Sequence, residues 1–160
     1  MFPSHDLIAV GDLLLAIVFN SNDNNTQQFD ATSDPAGWTF SKQDGNATSD
    51  SHMMVSWIIA TSTEVAASDF TFNVISGQGA DQGGIALVRI SGVNASTPIG
   101  VVGTSLIASS NFTIPEITTG NNNSLAMYVL SIDNSDNAPF GVSAGWTEGD
   151  ELDNSNNNFD

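Results

Sequence analysis

The sequence contains no cysteine, two histidines and only two fixed positive charges, Lys42 and Arg89. The missing thiols exclude disulfide staples and thiolate zinc sites, and they leave the redox compartment undecided. Against the two bases stand 18 carboxylates, for a formal charge of -16. Phosphate recognition needs clustered Lys and Arg to release counterions, so neither nucleic acid nor an anionic membrane surface is expected as a partner. Long apolar runs are missing too. The clearest, residues 13–19, is far shorter than the roughly 20 residues of a membrane span. Residues 1–6 lack a basic n-region, so no signal peptide is read there. Export without a signal, such as release of virions by lysis, is the expectation that Met1 favours. Amphipathic helix is the last absence, because no long window sustains apolar residues at i, i+3 and i+4.

What is present is strand and turn. The chain has 160 residues, enough for one domain, and 40% of them are hydrophobic, enough for a core. Residues 12–19 read DLLLAIVF, a run suited to a strand buried on both sides or in a sandwich core. Residues 54–61 (MVSWIIAT), 69–75 (DFTFNVI), 84–90 (GIALVRI) and 124–132 (SLAMYVLSI) read as further strands. Weaker candidates lie at 38–42, 101–106 and 111–114, and residues 62–67 allow no more than a helical turn. Gly, Asn, Asp, Ser and Pro clusters separate the strands and have turn chemistry, since Gly and Asn tolerate positive φ. The fold expected is all-β: an antiparallel β-sandwich of about seven or eight strands. Its inward residues should be Leu13, Leu15, Ile17, Trp57, Ile59, Phe70, Phe72, Leu87, Met127 and Val129. Residues 1–147 form the domain and residues 148–160 a polar, acidic and Asn-rich tail.

Val10-Gly11-Asp12-Leu13-Leu14-Leu15-Ala16, Pro35-Ala36-Gly37-Trp38-Thr39, the strand of Trp57, Ile90-Ser91-Gly92-Val93 and Pro98-Ile99 follow one another in a recognisable order. From about Ile8 to Trp146 the chain resembles a β-sandwich domain of tailed-phage structural and tail proteins and of large bacterial surface proteins. The resemblance implies a jelly-roll-like sandwich and a virion or surface role, and it implies no enzymatic residues. It also implies one or two strands after Gly145-Trp146-Thr147, whereas this chain continues into a tail with almost no strand character.

Candidate sites are few. His5 and His52 belong to no catalytic motif and read as surface or strand-edge residues. Glu64, Glu116, Glu148 and Glu151 all fall in apparent loops, so no glycosidase pair is expected. Asp23 with Asp30, Asp133 with Asp136 and Asp150 with Asp153 could offer oxygen ligands to calcium, but none has EF-hand spacing, and solvated turns are the plainer reading. The glycine-rich residues 77–84 lack the Lys-Ser/Thr of a phosphate loop and read as a hairpin connection. Trp38, Trp57 and Trp146, with Tyr128, could stack on sugar rings, although Trp57 reads as core and the other two as plugs of the sandwich ends. Arg89, alone in an apolar strand, should pair with a carboxylate or reach the sheet edge. Sequons at Asn24, Asn46, Asn94, Asn111 and Asn122 are what an Asn- and Ser-rich composition yields by chance. No catalytic, cofactor-binding or metal residue is assigned.

The expected function is that of a non-enzymatic virion structural protein, either a capsid decoration (cement) protein or a small tail or fibre module. Its partners would be the major capsid protein, other virion proteins or copies of itself. The alternative is an extracellular glycan- or receptor-binding module, with calcium as a candidate aid. Either setting is extracellular and salty: like charges are screened within about 10 Å at 0.1 M salt, and with only 12% charged residues a halophilic cytosolic protein fits poorly. A strand from a neighbouring chain is expected to complete the sandwich, unless the chain's own 101–106 and 111–114 close it. With no closed ligand set in the sequence, EDTA should leave the melting temperature unchanged. A collapse on chelation would promote the Asp-rich loops to calcium sites.

Overall fold

The computed structural model describes residues 8–21, 29–30, 32–44, 51–73, 75, 82–100, 102, 118, 120 and 124–129. These residues are mostly β. Four strands, β1 (Leu13–Ser21), β2 (Thr39–Asp44), β3 (Ser51–Ile59) and β4 (Gln82–Ile90), form one open antiparallel sheet in the order β2-β3-β1-β4. One short helix, α1 (Ser62–Ala66), follows β3. Two connections leap a strand: β1 to β2 passes over β3, and β3 to β4 passes over β1.

β1 occupies the interior of the sheet, and its sequence shows why. Leu13, Leu14, Leu15, Ala16 and Ile17 are all buried, none more than 8% exposed. Successive strand residues point to opposite faces, so five consecutive buried residues mean that both faces are covered at β1. The register assigns the neighbours. Leu13, Leu15 and Ile17 stand opposite Ile59, Trp57 and Val55 on one side and Ile90, Val88 and Ala86 on the other. Leu14 and Ala16 share the second face with Ile58, Ser56 and Leu87. On that face Ile8, Leu14, Ile58 and Ala60 form a buried cluster, with Trp38, Val65, Phe70 and Leu87 packed around it. Trp38 meets the rings of Phe70 and Phe72 edge to face, centroids 5.3 and 5.0 Å away. Such pairs contribute about 0.5–1.5 kcal/mol beyond their buried area.

Local chemistry sets the boundaries. Gly11, at φ 92°, turns the chain into β1, and its N–H donates to the Ala60 carbonyl while the Ala60 N–H donates to the Asp12 carbonyl. α1 begins with a capping box: the Thr61 hydroxyl accepts the Thr63 N–H, and Glu64 accepts the Thr61 N–H in return. At the far end of β1, Phe19 lies over Gly84 of β4, where any side chain would collide with its ring. The register of β2 on β3 shifts between Phe40 and Lys42, a bulge on the strand at the sheet's end.

Several expectations are corrected. Trp57 and Ile59 are only half-buried, and the buried residues of β3 are their neighbours His52, Met54, Ser56 and Ile58. Both faces of the sheet are covered at β1, so the face that Trp57 shares is not the deeper one for β3. Met127 is 42% exposed, and residues 124–129 belong to no strand. Residues 69–73 and 75 likewise make no ladder and lie across the second face, where Phe70 and Phe72 pack on Trp38. Alternating apolar residues mark one buried side, which an extended packed segment needs as much as a strand does. Gln82 and Gly83, read as part of a connection, belong to β4, ahead of the strand expected at 84–90. The weak strands at 101–106 (Val102 apart) and 111–114 and the tail 148–160 lie outside the described residues.

Double-sided burial makes a test. Leu14→Ala and Leu15→Ala should each lower unfolding free energy by about 2–5 kcal/mol in urea titration, one from each face. Met127→Ala should stay within about 0.5 kcal/mol of wild type. A tolerated Leu15→Ala would mean that the first face is not packed.

Candidate functional site

Polar groups buried beside the second face are the features most open to chemistry. At one end of the sheet Asp12, 5% exposed, takes two donors on Oδ2: the Ala9 N–H at 2.8 Å and Arg89 Nε at 2.5 Å. The Arg89 hydrogen bond, followed by that from Ala9, holds the Asp12 carboxyl below its ordinary pKa. Arg89 pairs with a carboxylate across 77 residues of chain and also lies on β4, the end strand of the sheet, so both outlets expected for it are met. The pair ties β4 to the turn that starts β1.

Midway along β3, Ser56 is wholly buried, and its hydroxyl donates to Asp34 Oδ1 at 2.6 Å. This bond fastens the segment 32–38 to the sheet. The same segment is folded onto Asp30: Asp30 Oδ1 accepts from the Thr32 N–H and hydroxyl, and the Ser33 N–H donates to the Asp30 carbonyl. The Ser33 carbonyl accepts the Asn73 N–H at 2.9 Å. Desolvation raises the Asp34 pKa, with the Ser56 bond opposing it. Glu64 and Asp30 move down, each chiefly through a hydroxyl donor, Thr61 and Thr32 respectively.

His52 is completely buried in β3 opposite Asn20 of β1, which corrects its reading as a surface residue. Glu64, read as a loop residue, is in the first turn of α1 and 7% exposed, because the capping box turns its carboxylate back onto the chain. His52, Ser56 and Asp34 do not assemble a nucleophilic triad. Four residues of strand separate His52 from Ser56, about 13 Å at roughly 3.3 Å per residue, and Ser56 bonds Asp34 with no imidazole between. Asp30 is spent on its own turn, and Asn94 accepts the Ser96 N–H in another. Among the described residues no three His, Asp or Glu are grouped to hold a metal, and no helix is long and apolar enough to cross a membrane. His5, Asp23, Asp133, Asp136, Asp150, Asp153, Glu116, Glu148, Glu151, Trp146 and the sequons Asn24, Asn46, Asn111 and Asn122 lie outside the described residues.

Beside these groups an open cavity of about 390 Å³ lies where β1 ends and β4 begins. Phe29, Phe70, Phe72, Val18 and Ile85 give it apolar walls, and Asn20 adds a polar group. Phe29 is 1% exposed, and its burial was not legible in a polar stretch of chain. Asp34 and Ser56 were missed for the same reason, since a single Asp before a proline signals only a turn. No protein-family model, curated protein or solved structure matches the chain.

The Asp12 ion pair has a pH signature. A carboxyl whose folded pKa is depressed adds stability above its unfolded pKa and loses it as pH falls through the folded value. Arg89→Met should therefore lower the melting temperature at about pH 7, and the gap from wild type should close toward about pH 2. A gap of equal size at both ends would show that Arg89 contributes packing rather than charge.

Proposed function

We propose that this chain is a non-enzymatic structural module of a virus particle, a capsid decoration protein or a small tail or fibre module acting by adhesion outside the cell. On this reading the open sheet is one layer of a jelly-roll-like sandwich of seven or eight strands. The observation that carries the proposal is an apolar surface on a highly acidic chain. Leu125 and Val10 are 70% and 69% exposed, and Val102 and Met127 are 50% and 42% exposed. Scattered apolar residues are ordinary on any surface. Leu125 and Met127, however, sit two apart in a strand-like sequence outside the sheet, as expected of a segment that packs on a neighbour. The order of GDLLLA, PAGWT, SGV and PI along the chain supports the same reading.

Adhesion of this kind draws on area rather than on a reacting group. A stable interface buries about 1,200–2,000 Å² in total, and apolar residues at its centre supply most of the affinity. The charge of -16 keeps assembled particles apart at low salt and is screened in a salty medium. The partner is the major capsid protein, another virion protein or a second copy of the chain.

The aromatic cavity beside β4 favours a second reading, a receptor- or glycan-binding module. Trp38 suits that role poorly, because its ring already packs against Phe70 and Phe72. Quantitative mass spectrometry of particles purified from the source separates the two. Copy number matching the shell protein supports decoration, and a handful of copies supports a tail module. Absence from particles, together with a positive glycan array, moves the chain to the second reading.

A further inference from the structure

We propose that residues 29–30 and 32–38 form a latch over the second face of the sheet, and that this latch tightens in acid because Asp34 closes it. The carboxyl has one donor, the Ser56 hydroxyl at 2.6 Å on Oδ1. Its other oxygen, Oδ2, is buried with no hydrogen-bond partner among the described residues. A buried carboxylate is stable when two or three donors reach it, and a single donor leaves much of the charge unsolvated. Protonation removes that charge and leaves only a neutral oxygen unsatisfied. Burial accordingly moves the Asp34 pKa up, the opposite direction to Asp12, Asp30 and Glu64.

The surrounding titratable groups leave this assignment to Asp34. In its own segment Asp30 is engaged by Thr32. In β3 the other titratable residue is His52, buried on the same face as Ser56 and four residues away. β1 has none, and β4 contributes Arg89, which is paired with Asp12. In α1 Glu64 is bound to Thr61, and in the strip across the face Asp69 is exposed and meets Ser68. β2 carries Lys42 and Asp44.

The sign follows from linkage. A carboxyl whose latched pKa exceeds its unlatched one favours the latched state below the unlatched pKa, and that preference is lost as pH rises through the latched value. Asp12, Asp30 and Glu64 are all shifted down and so favour the folded state in the opposite pH direction. The latch carries Phe29, a wall of the aromatic cavity, and Trp38, which packs on two other rings. Loosening it therefore opens the cavity. The device belongs to the chain itself and holds whichever role the surface plays.

Hydrogen exchange of the full chain, corrected for intrinsic rates, tests it at the Ser33 and Trp38 amides, whose bonds to Asp30 and Pro35 lie within the latch. Protection should be greatest below about pH 4, the ordinary aspartate range, and should fall as pH rises through the latched pKa, by up to roughly tenfold for each unit between latched and unlatched pKa. Asp34→Asn should flatten this dependence, and His52→Gln should keep it. An Asp34→Asn protein with the wild-type pH dependence, or a His52→Gln protein without one, overturns the proposal. Should either variant fail to fold, carboxyl ¹³C NMR of the wild-type chain decides: a pKa for Asp34 above the ordinary 3.8 upholds the latch, and one at or below it ends the idea.

Discussion

Burial of β1 on both faces is the constraint on which the rest of the described structure depends. Over Leu13–Ile17 the strand gives up nearly all contact with water, so the side chains there must be apolar and the backbone groups paired. Leu13 through Ile17 meet the first demand, and the ladders to β3 and β4 meet the second. Those ladders fix which residues of β3 and β4 share each face. They also fix where the covering segments must lie: α1, residues 32–38 and residues 68–73 all gather over the face of Leu14.

The same constraint explains the buried polar groups. A chain that leaps from β1 over β3 must cross the sheet, and its backbone then sits above apolar side chains. Ser56 gives residues 32–38 a polar foothold in that surface, and Asp34 uses it. At the sheet's end the Asp12–Arg89 pair does similar work with opposite electrostatics. Asp12 is surrounded by donors and favours its charge, whereas Asp34 has a single donor and resists its own. Two aspartates of identical chemistry thus answer pH in opposite directions, because desolvation dominates at Asp34 and the Arg89 hydrogen bond dominates at Asp12.

Function, on the reading proposed, follows from surface rather than from a reacting centre. The sequence holds only two fixed cations, and one of them, Arg89, is already bound to Asp12. What remains for partners is apolar area set within a strongly negative field. That combination suits contacts made in salt, where charge is screened within about 10 Å and apolar burial keeps its strength.

The sequence by itself determined the β class, the apolar strand β1, the limit of residues 62–67 to a helical turn and the need of Arg89 for a carboxylate or the sheet edge. Each of these is local, since a run of apolar residues, a missing helical period or a lone charge carries its cost wherever it folds. It did not determine that Ser56 and Ile58, rather than Trp57 and Ile59, lie deepest in β3. That depends on which face the segments 32–38 and 68–73 cover. Nor could it separate a ladder strand from a packed strip at residues 69–73, because both need one buried side and only the ladder needs a neighbour. The chain's order gave no reason to bring Asp34 to Ser56 across 22 residues, or Asp12 to Arg89 across 77. Those meetings were decided by the tertiary structure, because strand order and register set the distance between residues that the sequence keeps apart.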